Sequence, residues 1–295
     1  MKALVFSEFP EMAAQMVTYL KRTMEVDVAT TSSDNEALAH SGAGNVYRLT
    51  GQPQYDNVSS ALQEIFKDGY DYFFAASTIL GREVAGFMSQ NLSLGIIPEI
   101  TAFEVRDGKS HTMRFFLGGK TVLEEESDAH AFTFGPGITD PERVDAETPV
   151  SEISLSESKI KTVSVEEKKA SGVNLEKAKV IVSVGRGLGK KEGIAAIEPL
   201  VKAVNGELAG SRPVCLDYQW LGEERQVGIS GKKVRPNLYI AVGISGQIQH
   251  IAGMRGAKTV IAINKDKNAP IFEEADYGLV GDLYQIVPKL IQALS

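Results

Sequence analysis

Cysteine is almost missing from this sequence: 295 residues hold one, Cys215. That excludes an internal disulfide framework and a cysteine-ligated iron–sulfur cluster, and it suits a reducing cytoplasm. Basic residues are short as well, 31 Lys and Arg against 38 Asp and Glu for a formal charge of -7. A nucleic-acid partner, which needs concentrated cationic side chains against its phosphates, is therefore not expected. No apolar run approaches the roughly 20 residues that span a bilayer, so membrane insertion is not expected either. Met1 to Phe6 runs straight into Ser7, Glu8 and Pro10 and lacks a signal-peptide core, so it reads as a first strand of a cytoplasmic protein. His40, His111 and His130 have no metal-like spacing and read as solvent-facing or structural. A nucleophile elbow, a zinc-binding helix motif and a Walker lysine motif are all missing, which disfavours an ordinary hydrolase.

What remains is an ordinary globular composition, 43% apolar and 23% charged, in a chain long enough for two cores. Over residues 1–134, apolar runs alternate with helical patterns: strands at 3–6, 26–29 and 45–49, helices near 11–24 and 33–39. Such alternation predicts an α/β layer with parallel strands. A further strand at 70–75 leads through Ser77 and Thr78 into an amphipathic stretch at 81–91. Residues 101–133 have no long helical pattern and read as extended, hairpin-like structure turning at Gly118 and Gly119. This is the expected N-terminal domain.

Residues 135–174 read as a connection, because Pro136, Pro141 and Pro149 stand among many Ser and Glu with little apolar periodicity. Ile160, Val163 and Val165 alternate and predict one strand within it. Residues 175–295 then form a second α/β unit. A strand at 179–185 is followed by the loop Arg186-Gly-Leu-Gly189. A helix at 193–205 has Ile194, Ile197, Leu200, Val201 and Val204 on one face. Extended structure at 207–209, strands at 238–242 and 259–263 and a closing helix at 284–294 complete a doubly wound parallel sheet. Such sheets bind ligands beyond the carboxyl ends of their strands.

The loops at those ends are the candidates for chemistry. Leu238-Tyr-Ile-Ala-Val-Gly-Ile-Ser-Gly-Gln-Ile-Gln-His250 is a buried-strand pattern running into a glycine–serine turn and a helix start, a suitable cradle for pyrophosphate. Gly185-Arg-Gly-Leu-Gly189 resembles a dinucleotide fingerprint, but Lys190 stands where the third glycine would fall. Arg186 can pair bidentately with a pyrophosphate, although for these residues alone an exposed loop arginine is the better reading. Trp220 and Tyr239 read as packing residues.

Taken in order, Val184-Gly-Arg-Gly-Leu188, Gly210-Ser-Arg-Pro213, Gln226-Val-Gly-Ile-Ser-Gly231, Gly243-Ile-Ser-Gly-Gln-Ile-Gln-His250, Ala262-Ile-Asn-Lys-Asp266, Ala269-Pro-Ile-Phe272 and Ala275-Asp-Tyr-Gly278 with Gly281-Asp-Leu283 cover nearly all of residues 180–295. This set resembles the α subunit of electron transfer flavoprotein, most similar to the branch associated with carnitine or acyl-CoA metabolism. The first half agrees through Ser77-Thr-Ile-Leu-Gly-Arg-Glu83, Gly95-Ile-Ile-Pro98 and Phe116-Leu-Gly-Gly119.

The resemblance implies a heterodimeric electron carrier whose α chain holds FAD in a C-terminal domain. A β subunit, which holds AMP or a second FAD, completes the pocket. It implies acyl-CoA or other flavin dehydrogenases as donors and a quinone oxidoreductase or similar acceptor, met by transient docking as the flavin domain pivots on the linker. By the same resemblance, Arg186 and the turn Ser245, Gly246, Gln247, Ile248, Gln249 and His250 lie along the cofactor. Asn264, Asp282 and Leu283 lie at its adenosine end, where Asp282 can accept hydrogen bonds from ribose hydroxyls. Arg212, preceded by Ser211, is implied against the flavin ring and His250 near the pyrimidine carbonyl. Positive charge at either place favours the first electron and one-electron steps. Ser230 is implied to hydrogen-bond the reactive ring nitrogen. Its segment, Gln226, Val227, Gly228 and Ile229, departs from the family pattern by Ile229 in place of a second Gln, which removes a polar group near the flavin. Two further readings stay open: an electron-bifurcating, NADH-oxidising complex, and a non-redox nucleotide-binding module.

Overall fold

The computed structural model describes residues 1–34, 36–119, 121–135, 137–164 and 173–294. The chain divides into two compact units, Met1–Val165 and Glu166–Ser295.

The first unit contains β1 (Lys2–Phe6), α1 (Pro10–Leu20), β2 (Glu25–Thr30), β3 (Val46–Thr50), α2 (Tyr55–Phe66), β4 (Tyr72–Ala76), α3 (Ile79–Leu92), β5 (Ile96–Arg106), β6 (Lys109–Phe116), β7 (Thr121–Ser127), β8 (Ala131–Phe134) and β9 (Val150–Ser154). These strands form one nine-stranded sheet in the order β7-β6-β5-β8-β4-β1-β2-β3-β9. Pairing is parallel from β9 to β5 and antiparallel among β5, β6 and β7. The sheet is thus an α/β layer carrying an extended hairpin section. β4 is buried at every position because helices cover both faces, the usual reason for a continuous apolar strand. Alternate residues prove the two-sided burial: Val5 and Phe74 pack with α1, while Leu4 and Phe73 pack with α2 and α3. The hairpin from β5 to β6 turns at Asp107 and Gly108, both at positive φ, which is the twist-matched two-residue turn.

Several elements depart from the sequence expectations. The helix expected at 33–39 is a turn over residues 36–40. There, Ser32 Oγ accepts from Asp34 N at 3.1 Å and Asp34 Oδ1 from Glu36 N at 3.0 Å; these short side chains compete with helical hydrogen bonds. Asn35 lies outside the described residues. Helix α2 was not anticipated, although Val58, Leu62 and Ile65 all bury on one face. The strand expected across Ile160, Val163 and Val165 is also absent over its described part: residues 160–164 are irregular and Val163 is 97% exposed, while Val165 lies outside the described residues.

The strand in this segment is instead β9, which adds to the edge of the sheet beside β3. Much of the rest of 135–164 is tied to the first unit by polar contacts. Gly137 N donates to Gln15 Oε1 at 2.7 Å, Glu142 N to Thr18 Oγ1 at 2.9 Å, Thr148 N to the Ala39 carbonyl at 2.8 Å and Ser158 Oγ to Asp56 Oδ1 at 2.6 Å. Hydrogen bonds of this kind leave no apolar period in a sequence.

The second unit contains β10 (Val180–Val184), α4 (Ile194–Ala203), β11 (Glu207–Gly210), β12 (Leu238–Val242), α5 (Ile248–Met254), β13 (Thr259–Asn264), β14 (Tyr277–Val280) and α6 (Leu283–Leu294). Its five-stranded sheet is parallel throughout, in the order β11-β10-β12-β13-β14. Val182, Val184, Ile240 and Val242 pack with α4 and α6 on one face; Ile181, Tyr239 and Ala241 pack with Met254 of α5 and with Ile271 on the other. This is a doubly wound sheet. The strand order reverses between β10 and β12, so the loops leaving those two strands frame the switch-point crevice.

Candidate functional site: a cleft at the switch point

Two glycine loops build the floor of this crevice. Gly185 N donates to the Val242 carbonyl and Gly187 N to the Gly243 carbonyl, each at 2.9 Å. A Cβ on Gly185 would collide with the Gly243 carbonyl oxygen, and one on Gly187 would sit 2.7 Å from Gly243 Cα. Gly243 itself turns at φ 64°. Backbone therefore lies directly on backbone, and Arg186, between the two glycines, is left exposed. Gly246 turns at φ 83° with its Cα against the Ile271 backbone, so it supports the turn from behind.

A cleft of about 820 Å³ opens above these loops, lined by the ends of β10, β11, β12 and β13, the segment 226–230 and the start of α6. That is within the usual size for a small-molecule or cofactor site. Of the residues singled out from sequence, Arg186, Ser211, Arg212, Gln226, Val227, Gly228, Ile229, Ser230, Ser245, Gln247, Gln249, His250, Asn264, Asp282 and Leu283 all line it. Gly246 and Ile248 do not. The helix α5 begins only at Ile248, after Gln247, so the amides of Ser245 and Gly246 belong to the loop rather than to a first helical turn. Lys265, Asp266, Asp217 and Tyr284 also line the cleft and were not anticipated. Lys265 and Asp266 directly follow Asn264 at the end of β13, which is the signal that could have found them.

Several candidates are already committed to other partners. Asn264 Nδ2 donates to the Ile244 carbonyl at 2.7 Å and its Oδ1 accepts from Asp266 N at 3.0 Å, so it braces two loops. Asp282 Oδ1 accepts from Tyr284 N at 2.9 Å and caps α6, leaving Oδ2 for other donors. Gln226 is 1% exposed, and its Nε2 donates to Ser230 Oγ at 2.9 Å while its Oε1 is buried without a partner. Ile229, where the family pattern has Gln, is 52% exposed at the cleft lip.

His250 differs from expectation. It is 6% exposed, with Nε2 2.9 Å from the Tyr239 hydroxyl. Burial pushes its pKa down to about 4, against a small opposing pull from the Val227 carbonyl. Its Nδ1 is buried without a hydrogen-bond partner. Burial thus favours the uncharged ring at neutral pH, and the cationic side chains lining the cleft are Arg186, Arg212 and Lys265. Tyr239, read from sequence as a packing residue, is fully buried but also holds this histidine. Cys215, 2% exposed nearby, has its thiol pushed up to about 12 by burial and is inert. The described residues include no group of His, Cys, Asp or Glu able to hold a metal ion, and no helix long and apolar enough to cross a membrane.

Comparison with known proteins agrees with this geometry. Residues 174–255 match the electron transfer flavoprotein FAD-binding domain and residues 17–167 match the electron transfer flavoprotein domain. Protein FixB of Escherichia coli O1:K1 is 36% identical, covering 99% of this chain and 97% of its own length. Protein FixB of Escherichia coli O139:H28 and that of Shigella dysenteriae serotype 1 are each 38% identical over 89% of this chain and 88% of their own length. The chain belongs to the electron transfer flavoprotein family as an alpha-subunit-type member, and the domain that carries its cleft is the family's FAD-binding domain.

Proposed function

We propose that this chain holds FAD in the switch-point cleft and, paired with a β subunit, carries electrons from flavin dehydrogenases, acyl-CoA dehydrogenases among them, to a quinone reductase. The observation that carries the reading is a pair of buried polar atoms without partners, Gln226 Oε1 and His250 Nδ1, on residues lining a cleft of about 820 Å³. Orphaned polar atoms at such depth cost about 1–3 kcal/mol each unless a ligand satisfies them. The floor beneath that cleft is held by close backbone contact, which a Cβ at Gly185 or Gly187 would break.

FAD supplies the redox chemistry when bound; the chain's residues bind, orient and tune it. Arg186 and Arg212 offer guanidinium groups to anionic parts of the cofactor. Gln226 fixes the Ser230 hydroxyl and keeps its own Oε1 for a donor, and Asp282 keeps Oδ2 for a hydroxyl. His250 orients a neutral imidazole. Arg212 is the cation that favours negative charge on the ring. Delivery to successive partners is served by the second unit pivoting relative to the first.

Arg212→Ala and His250→Ala test the reading in the purified heterodimer. Both are expected to lose FAD or bind it at least tenfold more weakly while the heterodimer still forms. Full FAD retention in both, with pairing between subunits altered instead, would replace the carrier with a nucleotide-binding interaction module.

A further inference from the structure

We propose that Tyr239 is a positioning residue for the cleft: its hydroxyl donates to His250 Nε2 and so fixes a neutral imidazole with its proton on Nδ1. The inference rests on the flavin reading only for the identity of the ligand that Nδ1–H then meets. Three elements converge on this pair. Tyr239 lies in β12, His250 in α5, and Ser183 of β10 places its hydroxyl beside the Tyr239 oxygen. Tyr239 and Ser183 are fully buried, and the Tyr239 oxygen stands 2.9 Å from His250 Nε2 with the two rings tilted by 57°.

The direction of the hydrogen bond follows from the surroundings. Burial raises the Tyr239 pKa, so the phenol keeps its proton and must place it on an acceptor. On the other side of the imidazole, the Val227 carbonyl acts on the ring, and with Nε2 at the Tyr239 hydroxyl we assign that carbonyl to Nδ1. An oxygen lone pair there repels an Nδ1 lone pair and favours Nδ1–H, which leaves Nε2 as the acceptor for Tyr239. Ser183 Oγ, buried without a closed hydrogen bond, is left to donate toward the phenol oxygen. Of the titratable groups around the pair, the Cys215 thiol acts on Tyr239 and stays protonated. Arg186, Arg212, Lys265, Asp217, Asp266 and Asp282 line the same cleft, whereas His250 is shifted by burial and by the Val227 carbonyl. The ring so held offers a fixed N–H donor and therefore selects a hydrogen-bond acceptor, not a donor, on the ligand.

Long-range proton–nitrogen correlation spectra of the full chain labelled with 15N-histidine, without added cofactor, test this. His250 is expected to show a protonated Nδ1 and a hydrogen-bonded, unprotonated Nε2, unchanged from pH 8 down to about pH 5. Tyr239→Phe is expected to spread the proton over both nitrogens and move the titration upward, because the donor that stabilises the neutral ring is gone. FAD affinity of the assembled heterodimer should fall about tenfold or less, as for one oriented hydrogen bond. An Nε2–H ring in the wild-type chain overturns the proposal whatever the fate of the variant. Unchanged tautomer and titration in Tyr239→Phe overturn it too. A heterodimer without flavin would sink the carrier reading while leaving the tautomer result to stand.

Discussion

Replacing Gly187 by alanine should separate the two loops that form the cleft floor. The new methyl would sit 2.7 Å from Gly243 Cα and 2.8 Å from its carbonyl oxygen, both backbone atoms that no rotamer change can move. Gly187 is not among the glycines at positive φ, so the penalty is steric. Overpacking of this kind costs about 1–3 kcal/mol. The Gly187 N to Gly243 carbonyl hydrogen bond at 2.9 Å lengthens as well, adding about 1 kcal/mol. Urea unfolding followed by a probe in the second unit, with Trp220 as the intrinsic fluorophore, should therefore show a loss of about 2–4 kcal/mol. Flavin titration of the heterodimer should show weaker binding in parallel. Wild-type stability together with wild-type FAD affinity would refute the close approach of these loops as the basis of the site.

Stability of the second unit should depend on pH through His250. Its folded pKa of about 4 lies below the ordinary value of 6.5, so the unfolded state takes up the proton first. The contribution is complete above pH 6.5 and falls away between 6.5 and about 4, by about 3 kcal/mol in all. His250→Asn should remove that portion of the acid sensitivity in denaturant titrations at a series of pH values. Asp282→Ala should remove the cap on α6 at a cost of about 1 kcal/mol and weaken FAD binding, both readable in one set of thermal melts with and without cofactor. Gly86→Ala, by contrast, should stabilise the first unit by about 0.5–1 kcal/mol, because the glycine lies inside α3 with nothing within 4 Å of a Cβ.

Much of the sheet architecture could be read from the sequence because β1, β4, β10 and β12 are mostly apolar runs buried by helices on both faces. The cleft was legible for a related reason: at a switch point the functional loops follow such strands directly, as Gly185 follows β10 and Gly243 follows β12. Elements held by polar contacts were not legible. β9 has Ile153 as its packed apolar residue, and the segment around it is fixed by backbone donors reaching Gln15 and Thr18. Helix α2 has a period in Val58, Leu62 and Ile65, but that apolar stripe is narrow beside the continuous strands that flank it. The pairing of Tyr239 with His250 joins a strand to a helix across a glycine turn, and the spacing of the two residues gives no hint of it. The neutral state of His250 follows from that burial, not from its position in the motif.

Flavin stoichiometry tests the central claim most directly. The chain should be co-expressed with a β-type subunit, the complex purified, and FAD counted per heterodimer with a visible spectrum recorded during stepwise reduction. One FAD per heterodimer, accepting electrons singly and lost when Arg212 is replaced by alanine, is the result this account predicts. Two FADs with one reduced by NADH would move the chain to electron bifurcation, and a complex without flavin would contradict the account outright.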